Sequence, residues 1–253
     1  MRVLVTNDDG IFAPGLHTLV EFLSDAFEVT VVAPDREMSA MSHAITVTRP
    51  LRVTEYGGFG SKIPAYMIDG TPSDCVKLAV DALSDRKFDI VVSGINSGPN
   101  LGTDVLYSGT VSGAIEGVIN GLPAIAVSAA SAEKPNYYGA ALFTVKLVKL
   151  VLSKGLPEDT LLNVNVPTFS TDQFPVKVTR LGKRRYINVF DKRTDPRGRE
   201  YYWMAGDPHD SSEDDDADTE AVQQGYISVT PLHLDLTSDA LFKDLQSWSF
   251  DEK

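Results

Sequence analysis

Residues 1–10 read MRVLVTNDDG and residues 88–100 read FDIVVSGINSGPN. Each is a short run of consecutive apolar side chains closed by a polar turn. A strand that is apolar on both faces must be covered on both, which is the condition of a parallel sheet rather than of a half-solvated antiparallel one. Outward from these two, the same texture returns at Glu28–Ala33, Ala65–Asp69, Pro123–Ser128 and Leu161–Val166. The stretches between them are helical. Pro14–Asp25 places Leu16, Leu19, Val20 and Leu23 at spacings of three and four. Thr71–Leu83 opens with Thr71 as N-cap and Pro72 at the first helical position. Ser108–Asn120 carries Val111, Ile115 and Val118 on one face and stops at Gly121, and Tyr137–Ser153 is a longer helix. Strand and helix alternating in this way predict βαβ units: an α/β fold, doubly wound around a mainly parallel sheet. Residues 49–66 are irregular and suit a small hairpin.

The texture changes after Pro167. Val176–Arg180, Tyr186–Phe190 and Glu200–Met204 read as strands of a C-terminal antiparallel β extension, followed by a strand at Tyr226–Thr230 and a short helix at Ser238–Ser247. Residues 177–199 hold nine Lys and Arg against two acids, whereas 207–220 hold eight acids and no Lys or Arg. The acidic run is poor in apolar residues and is expected to be a loop. The division expected is a catalytic α/β domain over 1–167 and an extension over 168–253, too thin to fold alone.

The chain has 253 residues and a formal net charge of −12, with a pI of about 4.7. That charge argues against a nucleic-acid polymer as partner, which needs a basic face. No apolar run reaches the ~18 residues of a membrane span, and the N-terminus lacks the ~7–15-residue apolar core of a signal peptide. The lone Cys75 excludes an intramolecular disulfide and a cysteine zinc site. A cytoplasmic protein is the expectation. Because 207–220 contribute −8, the remainder carries only −4, and a small phosphate ester is not repelled by the body of the fold.

Ligands of an open parallel sheet bind at the carboxyl ends of its strands. There the sequence places Asn7-Asp8-Asp9-Gly10, then Pro34 to Ser39, then Gly94 to Asn100. Adjacent carboxylates such as Asp8 and Asp9 repel and raise each other's pKa unless a cation intervenes. Hard oxygen donors select Mg²⁺, Mn²⁺ or Ca²⁺ over zinc. Ser39 and Asn96 add neutral oxygens, and open coordination positions suit metal-assisted hydrolysis. Tyr107-Ser108-Gly109-Thr110 precedes a helix whose N-terminal N–H groups suit an anion, with Ser108 also able to serve as an ordinary N-cap. Cys75 reads as core, His17 as helix surface, and His43 as structural rather than as acid or base. No G-x-G-x-x-G follows the first strand, and neither a P-loop nor a G-x-S-x-G elbow is present.

Taken in order, Val5–Gly10 (VTNDDG), Ala33–Ser39 (APDREMS), Asp69–Val76 (DGTPSDCV), Val92–Gly102 (VSGINSGPNLG), Tyr107–Glu116 (YSGTVSGAIE) and Gly225–Leu232 (GYISVTPL) resemble the SurE family of survival proteins over most of the chain. The resemblance implies a Rossmann-like domain with a C-terminal extension exchanged between subunits, hence a homodimer or homotetramer. It implies a divalent-metal-dependent phosphatase acting on nucleoside 5′- and 3′-monophosphates, with short polyphosphate as a further substrate. It places one Mg or Mn ion per subunit on Asp8, Asp9, Ser39 and Asn96, with Asp8 and Asp9 catalytic. Phosphate contacts fall on Asn96, Ser108, Gly109 and Thr110. Met38-Ser39-Ala40 stands where many members have Arg-Ser-Gly, which removes an arginine from the rim, and the charged stretches after Pro167 match poorly.

Two other readings stay open at this level. Asp8 or Asp9 as a phosphorylated nucleophile would call for Asp-x-Asp spacing and a later Lys, or an Asp after a middle strand, where this chain has Gly-Ile-Asn. A non-catalytic nucleotide- or metal-binding module would use the same rim without turnover. No general base is assigned; Asp9 is a candidate for orienting water.

Overall fold

The computed structural model describes residues 1–131, 133–168, 175–187, 189–211 and 214–248. In chain order the first two-thirds run β1 (Arg2–Thr6), α1 (Pro14–Ser24), β2 (Glu28–Pro34), β3 (Val53–Glu55), β4 (Ala65–Ile68), α2 (Pro72–Asp81), β5 (Ile90–Ser97), a 3-10 turn (Gly102–Leu106), α3 (Gly109–Ile119), β6 (Ala124–Ala129), α4 (Tyr137–Lys154) and β7 (Thr160–Val166). The remainder runs β8 (Val176–Val178), β9 (Arg184–Ile187), β10 (Phe190–Thr194), β11 (Glu200–Met204), β12 (Asp207–Asp210), α5 (Asp218–Gln223), β13 (Ile227–His233) and α6 (Asp239–Leu245).

Nine strands form one sheet in the order β3-β4-β2-β1-β5-β6-β7-β13-β8. The six from β4 to β7 are parallel, so the chain winds outward from β1 in one direction and from β5 in the other. The strand order therefore reverses between β1 and β5, where such folds bind ligands. β3 pairs antiparallel with β4 and supplies the expected hairpin.

Each face has its own core. Leu16, Leu19, Val20 and Leu23 of α1 pack with Ala140, Val148 and Val151 of α4 against Val3, Val5, Val31 and Val92. On the other face Cys75, Val76 and Ala79 of α2 pack with Val111, Ala114 and Val118 of α3 against Leu4, Val32, Val91 and Ala126. The alternation of strand residues between the two clusters is the period-2 geometry of a sheet buried on both sides. Thr71 caps α2 in a reciprocal capping box with Asp74, an arrangement that satisfies two otherwise orphaned N–H donors. Cys75 is fully buried, as expected of a core thiol, and burial pushes its pKa up.

The extension differs from its sequence reading in three places. Val176–Val178 is no part of an antiparallel ribbon: it lies parallel to β13 on the main sheet, while β13 itself is antiparallel to β7. The single strand expected at Tyr186–Phe190 is replaced by β9 and β10, which pair with different partners, β12 and β11; Asn188 lies outside the described residues. The acidic run 207–220, expected as a loop, contains β12 and α5 (its Ser212 and Glu213 lie outside the described residues). Its charge is taken up by the basic run. Arg184 holds Asp210 through two bonds of 2.8 and 2.9 Å, and Arg180 donates to Asp216 at 3.0 Å. Composition alone reads such a stretch as solvated because the neutralising partner lies about thirty residues away.

Candidate active site

The carboxyl ends of β1, β2 and β5 converge at the switch point. Asp8 follows β1 and is buried; Asp9 beside it is half-buried. Gly10 turns the chain with φ +91°, and a Cβ there would lie 2.9 Å from the Arg36 carbonyl carbon, so the two loops meet only because this residue is glycine. The loop after β2 is tied to the first by the Met38 N–H, which donates to the Asp8 carbonyl at 2.7 Å. This brings Ser39 to the rim, exposed, with its hydroxyl donating to Glu37 Oε1 at 2.7 Å. The β5 loop joins through the Ser97 N–H, which donates to Asp9 Oδ2 at 2.9 Å. A register shift against β6 between Ser93 and Asn96 re-aims the end of β5. Asn96 donates its amide N–H to the Gly98 carbonyl at 2.9 Å, which leaves Oδ1 as the side chain's acceptor.

That last loop is fixed from beneath. The Asn100 N–H donates to Asn165 Oδ1 at 2.8 Å, its carbonyl accepts from Asn163 and Asn165 Nδ2 at 2.9 and 3.0 Å, and its own Nδ2 donates to Ser128 Oγ at 2.8 Å. Two asparagines inside an otherwise apolar strand run are thus accounted for as the floor of the site. Asp218 adds a tie from the extension, accepting from the Gly102 and Gly182 N–H groups at 2.9 and 2.8 Å.

α3 docks its N-terminus onto Asp8. The Thr110 N–H donates to Asp8 Oδ2 at 3.0 Å, and the Thr110 hydroxyl donates to Asp8 Oδ1. A Cβ on Gly109 would sit 2.8 Å from the Asp8 Cβ, so only glycine permits this approach. Ser108 caps the helix, accepting from the Val111 N–H at 3.0 Å. The residues expected to meet phosphate are therefore already engaged: Thr110 with Asp8, the Ser108 hydroxyl with its own helix. The nearness of Thr110 to Asp8 could not be read from a separation of 102 residues.

The electrostatics set this pair apart. Burial pushes the Asp8 carboxyl up from 3.8 to about 6, with the neighbouring Asp9 adding to the rise and the Thr110 bonds opposing it. Asp9 is also raised, by burial first and then by Glu37, an acid of the β2 loop that the sequence reading named without giving it a role. Among the described residues neither Asp8 nor Asp9 forms an ion pair. The Asn7 Oδ1 beside them is buried without a hydrogen-bond partner. No cluster of three or more His, Cys, Asp and Glu with metal-holding geometry occurs among the described residues. A cation here would draw two carboxylates from Asp8 and Asp9 and neutral oxygens from Ser39 and Asn96. That donor set fits a hard divalent ion, which would relieve the unpaired carboxylates.

The remaining candidates are structural. His43 Nε2 lies 2.9 Å from the buried Glu116, which Asn120 and Lys77 also approach. His17 Nε2 meets the Ile11 carbonyl at 3.1 Å, and its ring stacks on Phe59. No helix among the described residues is long and apolar enough to cross a membrane.

The comparisons with known proteins agree with this architecture. The family model of survival protein SurE matches residues 3–188. A protein named 5′-nucleotidase SurE from Pelotomaculum thermopropionicum is 56% identical over 97% of this chain and 94% of its own length. One of the same name from Carboxydothermus hydrogenoformans is 51% identical over 98% and 96%. The crystal structure of the SurE protein from Aquifex aeolicus superposes with a TM-score of 0.84 at 45% identity, covering 97% of this chain and 98% of that one. Four of the sequence motifs, Val5–Gly10, Ala33–Ser39, Val92–Gly102 and Tyr107–Glu116, meet around Asp8 and Asp9, and with this breadth of identity the chain belongs to the survival protein SurE family.

Proposed function

We propose that this chain is a divalent-metal-dependent 5′-nucleotidase that releases phosphate from nucleoside 5′-monophosphates. Nucleoside 3′-monophosphates and short polyphosphate are further substrates. The observation that carries the reading is the carboxylate pair Asp8–Asp9, without an ion-pair partner among the described residues, set at the strand-order reversal under a helix N-terminus. The name of the relatives, 5′-nucleotidase SurE, supports its 5′-nucleotidase part.

Asp8, Asp9, Ser39 and Asn96 would hold one Mg²⁺ or Mn²⁺. Bound there, the ion supplies Lewis-acid neutralisation of phosphoryl charge and a more acidic water. The chain's own residues do the positioning. Thr110 fixes both oxygens of Asp8, and the Ser97 N–H fixes Asp9. Asp9, the more exposed of the two, would orient the attacking water. Asn96, Ser108, Gly109 and Thr110 frame the phosphate, with the α3 N-terminus favouring negative charge. Water adds to phosphorus as the ester P–O bond breaks, and its proton passes to the departing nucleoside oxygen.

We also read 1–167 as the catalytic unit and 168–253 as an extension exchanged between subunits of a homodimer or homotetramer, in the cytoplasm. Two features support this. α6 has no buried residue and exposes Leu241 and Phe242, and the β10–β11 hairpin exposes Phe190, Tyr202, Trp203 and Met204. An apolar cavity of about 940 Å³ also runs beside α3, lined by Ile115, Leu161, Leu232, Leu234 and Leu236. Light scattering checks the assembly, and a monomer overturns it.

The deciding assay is release of inorganic phosphate from a panel of nucleoside monophosphates, with and without EDTA. Release that EDTA abolishes supports the reading. Nucleotide binding without release identifies a non-catalytic module instead, and a trapped phosphoprotein identifies an aspartyl nucleophile.

A further inference from the structure

Phe12 lies three residues beyond Asp9 with 63% of its surface exposed. A single exposed apolar side chain needs no explanation, but this one is held. Its turn is pinned by the Ile11 N–H on the Pro34 carbonyl at 2.9 Å and by the Ala13 N–H on the Gly10 carbonyl at 3.1 Å. Its ring is buttressed edge-on by Tyr56, with centroids 5.4 Å apart at 89°. Tyr56 is backed in turn by Phe59 at 5.4 Å and 76°, and Phe59 by the tilted His17 ring at 4.4 Å. Three rings thus support this one exposed aromatic face, which follows the carboxylates by three residues in the chain. Phe12 heads into α1, on the sheet face opposite α3, whose N-terminus meets Asp8. A ligand whose anionic end lay under α3 would have the α1 side of the switch point available for its other end.

We propose that Phe12 stacks on the base of the bound nucleotide and so distinguishes nucleotides from baseless phosphate esters. This rests on the phosphatase reading of Asp8 and Asp9 and adds the second end of the substrate. Every base has a π face, so stacking on a fixed ring binds purine and pyrimidine alike without reading their edges. The two stiff torsions of Phe and the pinned turn keep the ordering cost low.

The test compares AMP with ribose 5-phosphate. Phe12→Ala is expected to lower the ratio of kcat/KM for AMP to that for ribose 5-phosphate about tenfold, with the change mainly in KM for AMP, as loss of one stacked base implies. Phe12→Trp restores the ratio, whereas Phe12→Leu, apolar but without a π face, does not. Calorimetric binding of the same two ligands gives the ratio without turnover, so the outcome stays readable even if the protein releases no phosphate. An unchanged ratio in Phe12→Ala overturns the proposal. So does a fall confined to Tyr107→Ala, the exposed aromatic on the α3 side. Absence of phosphate release from wild type with either ester would instead count against the phosphatase reading.

Discussion

The rim at Asp8–Asp9 and the ribbon at 177–220 both gather acidic residues, and they resolve the crowding in opposite ways. In the ribbon the protein brings its own cations: Arg184, nearly buried, bridges Asp104 at 3.0 Å and Asp210 at 2.8 Å, and Arg180 meets Asp216. At the rim the fold brings hydrogen-bond donors, Thr110 and Ser97, and among the described residues no Lys, Arg or His forms an ion pair with Asp8 or Asp9. Donors orient a carboxylate without cancelling its charge. The acids of the ribbon are therefore part of the architecture, while those of the rim are the ones we propose a bound cation neutralises.

The sharpest way to break this contrast is at the rim. Asp8→Asn and Asp9→Asn should each reduce kcat/KM for AMP by about 10²–10³-fold, the scale of losing a main electrostatic contributor, while circular dichroism shows an intact fold. Full turnover in both variants would remove the distinction between the two regions.

Next in size is a pH effect. The Asp8 carboxyl is pushed up by burial from 3.8 to about 6 in the folded protein. In that window the folded state binds a proton that the unfolded state has lost. The stability tied to this group is therefore present below about pH 4 and lost as pH rises through about 6, a loss on the order of 3 kcal/mol. In EDTA, unfolding free energy should fall across this range. Mg²⁺ or Mn²⁺ should raise Tm more at pH 7 than at pH 5, and Asp8→Asn should flatten the slope.

In the ribbon, Arg184→Ala strips two carboxylates of a partner and should cost about 2–3 kcal/mol by urea unfolding, on the scale of lost hydrogen bonds to charged groups. A loss under ~0.5 kcal/mol would mean that solvent neutralises those acids as well as the arginine does. The smallest expected effect is Thr110→Val, which keeps the backbone N–H on Asp8 but deletes the hydroxyl. It should destabilise the protein by ~1–2 kcal/mol, and turnover should fall less than in either Asp variant.

Much of this was legible in the residues. The doubly wound fold followed from runs such as Val3–Val5 and Ile90–Val92, because burial on both faces demands continuous apolar character. Asp8, Asp9, Ser39 and Asn96 could be named as candidates because strand ends are local features and the switch-point rule says which of them to compare. Glu37 went without a role, since its field on Asp9 depends on how the β2 loop folds back.

What the sequence by itself determined is the run of strands and helices over the first two-thirds of the chain, the helical caps at Thr71 and Ser108, and the chemistry on offer at each strand end. Periodicity, capping and turn preference act over a few residues, so they are written in neighbouring positions. Only the tertiary structure decided that Thr110 belongs to Asp8, that Asn163 and Asn165 hold Asn100, that β8 joins the main sheet, and that the acidic run pairs with the basic one. These contacts join residues 26 to 102 positions apart along the chain, and hydrogen bonds and charges act through space rather than along sequence.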